Sequence, residues 1–484
     1  MTVEHYHTIL DYIRRTIAGT QWEGKVYAVG GCCRDEILGV DINDIDLAVE
    51  LAGGGIGFAD WLFDQGLTVK EPVRFPSFGT ARVELADFPD VEVEFVQTRA
   101  EKYTDSTRRD PTTVFGSIEA DCRRRDLTIN ALYYDISRQT MLDILGCSID
   151  DIRNHIIRTP ADPQVTFDDD PVRILRAIRF AARYGWEIQP STFEGMKANA
   201  ERLRIVRPER MQAEFNKMLL GPHPSRALEL LRLSGSLPYI MEPAAALPRI
   251  QQGPLHFGTV WEHTLAVVDN VPPVPVLRLA ALCHDMGKIE AGSTGKDGRI
   301  TFPRHEHRGL HITRTALRRL HYDSSDVVKV CFLIANHKAA KNWGPHAEKM
   351  TDMDLRRLQS TCGTAVRFNR LLELIDADNR AFAPEYAQTE QVAAIRRRSE
   401  QLIAEGTALF SFKQKLPLAR IRKIKGLGPN DKAEPYVDYV RNLLLNDPTL
   451  SKIELAARLS AYNPGKKRGT ASRPRPRRRS SRKK

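Results

Sequence analysis

Residues 27–50, YAVGGCCRDEILGVDINDIDLAVE, decide the fold and the function class of this chain. Asp44 and Asp46 stand two positions apart in a stretch that predicts a β-strand. Alternate side chains of a strand face the same side, so we expect both carboxylates on one face and Ile45 in the core. Two neighbouring carboxylates repel each other unless a cation lies between them. Mg²⁺ is commonly held by one or two carboxylates together with substrate phosphates.

The residues before these carboxylates predict a phosphate-binding turn. Val26 to Val29 predict a buried strand, which Gly30 and Gly31 follow. Because glycine has no Cβ, the backbone there can approach a phosphate closely. Arg34 and Asp35 come where the next helix begins, and a helix N-terminus beside a guanidinium suits a triphosphate. The alternative for these two residues is a surface ion pair without a binding role.

A third carboxylate is expected on a neighbouring strand. Residues 81–96, ARVELADFPDVEVEFV, alternate apolar and polar side chains. This pattern predicts a hairpin whose turn lies at residues 88–90. Glu92 and Glu94 then share one face of the second strand. The alternative is that both side chains only form a solvated face.

Four further segments complete a pattern that resembles the class II nucleotidyltransferases, the family of the tRNA CCA-adding enzymes and bacterial poly(A) polymerases. They are VEFVQTRAEKY (93–103), RRRDLTINAL (123–132), DDPVRILRAIRFAARYG (169–185) and VRPERMQAEFNKML (206–219). The resemblance is strong over residues 25–220 and looser up to residue 400. The sequence departs from the family pattern at two places. At Cys32 and Cys33 the family more often has small or aliphatic residues, and at Cys147 it usually has a second glycine.

The resemblance implies Mg²⁺-dependent transfer of a nucleotide from CTP or ATP to an RNA 3′-hydroxyl. Asp44, Asp46 and Glu94 are the catalytic carboxylates that it implies, since the family register, counted back five residues from Arg99, favours Glu94 over Glu92. The residues that it places around the nucleotide are Gly30, Gly31, Arg34, Asp35, Arg125, Asp126, Asn130, Asp170, Arg173, Arg176 and Arg179.

Within RRRDLTINAL, the resemblance assigns Asp126 to the ribose, Arg125 to the phosphates and Asn130 to positioning the nucleotide. A carboxylate suits this task because it can accept hydrogen bonds from the 2′- and 3′-hydroxyls together. The alternative for the preceding Arg123 and Arg124 is a solvated basic face.

A base-reading helix is predicted from Asp170, with Pro171 in its first turn. Asp170 and Arg173 then lie on one face. The carboxylate would take the amino hydrogen of cytosine or adenine, and the guanidinium would satisfy the ring acceptor, so C and A are chosen without a nucleic-acid template. The alternative is a carboxylate that only stabilises the helix dipole. Arg176 and Arg179 follow on the same helix. Their side chains either line the path of the triphosphate or simply face water.

A second constellation of histidines and aspartates follows in the middle of the chain. WEHTLAVVDN, RLAALCHDMGK, FPRHEHRG, ANHK and LLELIDADNRA carry it in an order that resembles the HD-type metal-dependent phosphohydrolases. Imidazole with carboxylate suits Mn, Ni, Zn or Fe more than Mg²⁺. The alternative is a helical body that has lost the metal. The residues that match the HD spacing are His263, His284, Asp285, His305, His337 and Asp378.

Composition favours a cytoplasmic protein. No apolar run reaches the ~18 residues of a membrane span, and the start of the sequence lacks a cleavable signal pattern. Seven cysteines without CxxC spacing indicate free thiols in a reducing compartment.

The net charge of +11 is concentrated at one end of the chain. Residues 464–484 hold eleven lysines and arginines and no acid, so basic and acidic residues balance over the rest. This predicts a disordered tail that contacts RNA backbones without sequence preference. The alternative is a solubilising appendage.

The order of the patterns predicts an α+β fold, with an α/β head built on a mixed sheet and helical domains after it. The expected divisions are a nucleotidyltransferase head (1–145), a helical neck with the base-reading helix and an RNA-binding region (146–250), an HD-type helical metal domain (251–400), a small helical tail domain (401–462) and the basic tail (463–484). Residues 143–160, DILGCSIDDIRNHIIRTP, read as the linker between head and neck.

The leading hypothesis is an enzyme that adds C, C and A to the 3′ end of tRNA from CTP and ATP without a template, releasing pyrophosphate. Its partners are tRNA, CTP and ATP, with no membrane. A poly(A) polymerase or an A-adding tRNA nucleotidyltransferase shares every head motif and stays open. A hypothesis of a different class is an HD phosphohydrolase whose head only binds RNA.

Overall fold

The computed structural model of the chain describes residues 1–102, 112–253, 258–295, 300–410 and 415–464. Most of the predicted basic tail therefore lies outside the described residues. The chain divides into two compact units. One comprises residues 1–336 with 380–387, and the other comprises residues 337–379 with the chain from residue 388 onwards. The finer division into head, neck, HD domain and tail domain stays a prediction.

The strands of the described chain all belong to the first unit. They are β1 (Val26–Val29), β2 (Ile45–Val49), β3 (Val73–Phe75), β4 (Thr80–Leu85), β5 (Phe88–Gln97), β6 (Arg99–Lys102), β7 (Thr112–Phe115), β8 (Tyr133–Asp135), β9 (Thr140–Leu142), β10 (Ile156–Ile157), β11 (Glu187–Ile188), β12 (Ser293–Thr294) and β13 (Ile300–Thr301). Seven of them form one mixed sheet in the order β3-β4-β5-β2-β1-β8-β9, in which the β2–β5 pair is parallel. The predicted α+β class is confirmed.

Helices make up most of the remaining described chain. In the first unit they are α1 (Val3–Ile17), α2 (Gly31–Leu38), α3 (Gly54–Asp64), α4 (Ile118–Arg123), α5 (Ser148–Arg153), α6 (Pro163–Asp169), α7 (Val172–Tyr184), α8 (Pro190–Asn199), α9 (Pro208–Leu219), α10 (Pro224–Leu233), α11 (Leu237–Met241), α12 (Val260–Asn270), α13 (Pro275–Cys283), α14 (Lys288–Ala291), α15 (His305–Arg319) and α16 (Ser324–Asn336). In the second unit they are α17 (Asp352–Cys362), α18 (Ala365–Arg380, whose last residue belongs to the first unit), α19 (Gln391–Ala404), α20 (Leu418–Lys425), α21 (Glu434–Asn446) and α22 (Lys452–Ala461). Short 3₁₀ helices occupy Pro76–Phe78, Thr128–Asn130, Ala200–Ile205, Glu242–Arg249 and Pro384–Tyr386.

The two faces of the head sheet are covered differently. On one face, helix α3 packs against β4 and β5, with the Phe58 ring 4.9 Å from the Phe95 ring in an edge-to-face contact. On the other face, Ala48 and Tyr133 join Cys122 of α4 in a buried cluster. This second face also carries Asp46, two residues before Ala48 on β2.

The predicted hairpin is present, but its turn is shifted. Strands β4 and β5 are antiparallel, and Phe88 already pairs with Leu85, so the turn lies at Ala86 and Asp87 rather than at residues 88–90. The Phe88 ring packs edge-on against Tyr12 of α1 at 5.4 Å, and this contact keeps Phe88 in the strand.

The predicted linker is ordered structure rather than a simple connection. Residues 143–160 contain helix α5 and strand β10, which pairs in parallel with β11. The Asp143 carboxylate accepts the Ile149 N–H at 3.0 Å, and Asp151 accepts the Thr128 hydroxyl at 2.7 Å. The Asp143 bond satisfies an N–H group at the start of α5, and the Asp151 bond joins the segment to Thr128, which lies within RRRDLTINAL (123–132), the ribose motif.

The region predicted as a small helical tail domain is helical and lies within the second unit, and its standing as a separate domain stays a prediction. Helices α20, α21 and α22 enclose a small apolar core that includes Ile421, Val440, Leu444 and Leu455. Among the described residues, no helix combines the length and the hydropathy needed to cross a membrane. All seven cysteines are free thiols.

We predict that Gly55→Ala destabilises the first unit. A Cβ at Gly55 would overlap the Gly79 carbonyl oxygen and the Gln97 backbone nitrogen, where α3 approaches β5. We expect a loss of about 1–3 kcal/mol in the free energy of unfolding, measured by urea denaturation. Gly57→Ala on the same helix is the matched control, because its Cβ would meet Trp22 at an ordinary 3.5 Å. Equal effects of both substitutions would contradict this packing.

Candidate active site

Two of the predicted carboxylates face each other across parallel strands. Asp46 on β2 is in register with Glu94 on β5, so both side chains lie on the same face of the sheet, while Ile45 is buried on the other. Arg82 on β4 is in register with Glu94, and its guanidinium lies 3.4 Å from both Glu94 and Glu92. The register thus places Glu94, rather than Glu92, beside Asp46.

Asp44 adjoins this pair but does not belong to the strand. Strand β2 begins at Ile45, and the Asp44 side chain is exposed. Partial burial, together with the negative charges of Glu94 and Asp44, raises the pKa of Asp46 to about 6, although Arg125 opposes the shift. An ionised Asp46 is therefore electrostatically unfavourable in the protein alone. This all-oxygen donor set fits Mg²⁺, which would relieve the repulsion.

The Gly-Gly turn leads directly into helix α2, as expected. Gly30 has a φ of 82°, a conformation that favours glycine, and α2 begins at Gly31. Arg34 on α2 is buried, donating to Asp35 at 2.9 Å and to the Asn130 side-chain oxygen at 2.5 Å. The alternative of a surface Arg34–Asp35 pair is therefore wrong. The guanidinium links the turn to the ribose motif.

Asp126 of the ribose motif is buried between two donors. Asn130 donates to it at 3.2 Å, and Arg176 on α7 donates to its Oδ2 at 2.5 Å. Burial disfavours the charged carboxylate, but the charge and the hydrogen bond of Arg176 outweigh burial and lower the pKa of Asp126. Asp126 is thus an ionised acceptor held in one orientation.

Arg125 is held by a partner that the sequence analysis missed. Its guanidinium donates to Asp121 at 3.0 Å and to the Tyr133 hydroxyl at 3.1 Å. Burial opposes the charge of Asp121, but Arg125 and Arg124 outweigh burial and lower its pKa to about 2. Arg124 is therefore engaged with Asp121, and only Arg123 matches the predicted solvated basic face.

The predicted base-reading pair is arranged differently from expectation. Helix α7 begins at Val172, so Asp170 lies in the turn before it and not on the helix. Pro171 stands between the end of α6 and the start of α7, because proline suits a helix start. The Asp170 carboxylate accepts from Arg210 on α9 at 2.7 Å, and the buried Arg173 donates to the Thr166 carbonyl at 3.3 Å.

Arg176 and Arg179 do not simply face water. Glu214 on α9 is buried, accepts from Arg179 at 2.6 Å and lies 3.9 Å from Arg176. The Arg179 guanidinium also lies over the Phe180 ring, 4.1 Å from its centroid. These contacts fix two guanidinium groups beside Asp126.

The first unit brings together four residues of the predicted HD set. The His284 and His263 Nε2 atoms are 3.3 Å apart, and Asp285 lies 3.3 Å from His284 Nε2 and 3.0 Å from His305 Nε2. The pair His284-Asp285 follows the end of α13 at Cys283, so it lies in the turn after this helix. Lys288 contacts Asp285 at 2.6 Å.

Each histidine of this cluster is oriented by a backbone carbonyl. Nδ1 of His263 faces the Ala381 oxygen at 3.3 Å, and Nδ1 of His284 faces the Ala281 oxygen at 2.7 Å. If each Nδ1 donates, the Nε2 lone pairs face each other and Asp285, which is a donor set that a transition metal satisfies. His337 and Asp378 belong to the second unit, and their role as ligands stays a prediction.

Several residues of the site were not assigned from the sequence. Arg210 and Glu214 lie in the motif segment 206–219, and Asp121 stands just before the segment 123–132. A charged residue on a helix gives no signal of a partner on another element. Asp121 could have been found from its place four residues before Arg125, the separation at which side chains meet on a helix, although α4 ends at Arg123. Arg82 could have been found from its place in the hairpin opposite Glu94.

Comparisons with known proteins agree with this geometry. The poly A polymerase head domain profile matches residues 26–158, and a profile described as a probable RNA- and SrmB-binding site of polymerase A matches residues 185–247. The chain is 36% identical over 220 residues to the mitochondrial CCA tRNA nucleotidyltransferase of Candida glabrata, a match that covers 42% of this chain and 41% of that protein. It is 34% identical over 234 residues to the CCA-adding enzyme of Limosilactobacillus fermentum, covering 48% and 56%. The matches thus span about half the length of these curated relatives.

The fold also matches a solved structure. The Bacillus stearothermophilus CCA-adding enzyme in complex with CTP aligns with a TM-score of 0.64 and 22% identity, covering 95% of this chain and 97% of that one. This likeness concerns the fold. The carboxylate pair on β2 and β5, the Gly-Gly turn and the two matched profiles together confirm the predicted resemblance of the head of this chain to the class II nucleotidyltransferases.

Proposed function

We propose that this chain adds C, C and A to the 3′ end of tRNA, using CTP and ATP and no nucleic-acid template, and releases pyrophosphate. The observation that carries the proposal is the register of Asp46 with Glu94 on one face of parallel strands. The curated relatives described above are named for CCA addition, which supports tRNA as the acceptor.

The residues around the carboxylates have separable tasks in this reaction. Asp46, Glu94 and the adjacent Asp44 would hold Mg²⁺. The metal, when bound, activates the attacking hydroxyl and neutralises charge on the leaving pyrophosphate. Gly30 and Gly31 give the triphosphate access to backbone N–H groups at the start of α2. Asp126 accepts hydrogen bonds from the ribose hydroxyls, in the orientation that Arg176 fixes.

The choice of C or A is assigned to the turn before α7. The Asp170 carboxylate is partly exposed and held by Arg210, while Arg173 is buried against the Thr166 carbonyl. A fixed acceptor beside a fixed donor can pair with the amino group and ring acceptor of cytosine or adenine. Guanine and uracil present the inverse pattern, so the same pair would leave buried groups unsatisfied and reject them.

The clustered histidines favour a second, independent activity. The Asp285 carboxylate lies within about 4 Å of a ring nitrogen of His263, His284 and His305, and the Nε2 atoms of His263 and His284 are 3.3 Å apart. Burial opposes the charge of Asp285, but His284 and Lys288 outweigh burial and hold its pKa well below the ordinary value. We therefore propose a Mn, Ni, Zn or Fe site that hydrolyses phosphomonoesters or 2′,3′-cyclic phosphates at RNA ends.

Two further proposals concern the chain as a whole. The eleven basic residues at 464–484, most of them outside the described residues, would hold RNA through its phosphates. We also propose a cytoplasmic location, which seven free thiols support.

Sequencing the products on a tRNA that lacks its CCA end tests the proposed function. With CTP and ATP together, we expect ordered C, C and A followed by arrest, and with GTP or UTP alone we expect no incorporation. Long A runs would instead indicate a poly(A) polymerase, and addition of A only to tRNA ending in CC would indicate an A-adding enzyme. If no nucleotide is incorporated but phosphate esters are still hydrolysed, only the HD phosphohydrolase hypothesis would remain.

Glu94→Gln and Glu92→Gln form a matched pair on one strand. Both side chains contact Arg82, but only Glu94 is in register with Asp46. We expect Glu94→Gln to lower kcat for CTP incorporation by about 100-fold or more, because a metal ligand is lost. Glu92→Gln should keep kcat within a few-fold of the parent, and the reverse order would assign the third carboxylate to Glu92.

Metal analysis of the purified chain tests the HD site. We expect about one transition-metal ion per chain, and its loss in His284→Ala. CTP incorporation should persist in that variant, because the head carboxylates do not depend on His284. Full metal content in the variant, or joint loss of both activities, would argue against an independent metal site.

A further inference from the structure

The sheet face that carries the carboxylates continues to the edge strand β3. Val73 on β3 pairs with Arg82 on β4. Arg82 in turn pairs with Glu94, which pairs with Asp46 on β2. These side chains therefore form one row on one face of the sheet. The next row on the same face begins at Phe75, two residues along β3.

The opposite face at this edge is occupied by helix α3. Arg74, which lies between Val73 and Phe75 and so points to that other face, donates to Asp60 of α3 at 2.8 Å. Two independent observations therefore place Phe75 on the carboxylate face. They are the register of β3 with β4 and the contact of the neighbouring Arg74 with α3 on the opposite face.

Apolar side chains at this edge are exposed to solvent. Val73 is 49% exposed, Phe75 38% and Phe78 62%, and we call these three residues the edge platform. The Phe78 carbonyl accepts from Arg99 at 2.5 Å, which anchors the turn between β3 and β4. Exposed aromatic rings on the same sheet face as a guanidinium, here that of Arg82, are a combination with which proteins bind single-stranded nucleic acid.

The edge platform lies on the side of the carboxylates away from the nucleotide turn. The carboxylates lie on the neighbouring strands β2 and β5. On the β2 side, the next strand in the sheet is β1, which leads into Gly30 and α2, and on the β5 side the next strands are β4 and then β3. In a displacement at phosphorus, the attacking and leaving oxygens lie roughly in line on opposite sides of the phosphorus. If the triphosphate occupies the Gly30 side, the attacking hydroxyl must come from the β3 side.

We propose that the edge platform binds the terminal bases of the RNA acceptor, with Phe75 stacking on a base and Arg82 beside the backbone phosphate. The proposal rests on the proposed function and names the acceptor side of the same site. Strands lie about 4.8 Å apart, so β3 is about 10 Å from β5, a distance that the terminal nucleotides can span. Phe75 is a positioning residue in this account, because it holds the acceptor and not the reacting atoms.

Steady-state kinetics on tRNA that lacks its CCA end tests the proposal. We expect Phe75→Ala to raise KM for the RNA by about tenfold, the loss expected when one base stack is removed, with KM for CTP unchanged. Phe75→Trp should restore the KM for RNA. Phe63→Ala is the matched control, since Phe63 is a 42% exposed phenylalanine on α3, the helix of the opposite face.

A fluorescence measurement separates this proposal from the proposed function. RNA with 2-aminopurine at its 3′ end should lose fluorescence on binding the parent chain and keep it on binding Phe75→Ala. An unchanged KM and unchanged quenching in Phe75→Ala, or an equal effect of Phe63→Ala, would overturn the edge platform while leaving nucleotide addition intact. A parent chain that quenches the probe but incorporates no nucleotide would instead overturn the proposed function.

Discussion

The main constraint on the head is the electrostatic repulsion between the Asp46 and Glu94 carboxylates, which a bound cation would relieve. The parallel pairing of β2 with β5 fixes these carboxylates on one face, and burial raises the pKa of Asp46 to about 6. A fold selected only for stability would place an uncharged residue there. The sheet therefore keeps a strained pair of acids, which is typical of sites that gain their stability from a bound cation.

A network of guanidinium groups organises the residues around that pair. Arg34 joins the Gly-Gly turn to Asn130, and Arg176 joins Asp126 to the helices that follow the head. Glu214 completes the network by binding Arg179. Arg34, Asp126 and Glu214 are buried and paired, so removing the partner of any of them would leave an uncompensated charge in the interior. The proposed acceptor side at β3, by contrast, exposes apolar side chains.

Local patterns predicted the parts of the site that depend on one segment. Alternation in residues 81–96 predicts the hairpin. The spacing of Asp46 after the Gly-Gly turn predicts a turn, a helix and an acidic strand, in that order along the chain. The ion pairs could not be predicted in this way, because Arg176 and Asp126 stand 50 residues apart and Arg179 and Glu214 stand 35 apart. Their pairing is decided by helix packing, which no periodicity in one segment specifies. The predicted position of Asp170 on the helix was wrong because Pro171, which follows it, is compatible with two arrangements. A proline suits both the first turn of a helix and the turn before the helix.

The unfolding temperature of Asp46→Asn, with and without Mg²⁺ at pH 7.5, is the sharpest test of the repulsion between Asp46 and Glu94. The folded-state pKa of Asp46, about 6, lies above the ordinary value of 3.8, so ionisation opposes folding at this pH. We expect the variant to unfold at a higher temperature than the parent without Mg²⁺, and we expect Mg²⁺ to stabilise only the parent. A variant that is less stable than the parent without Mg²⁺, or that gains as much from Mg²⁺ as the parent does, would show that Asp46 and Glu94 do not repel each other in the folded protein.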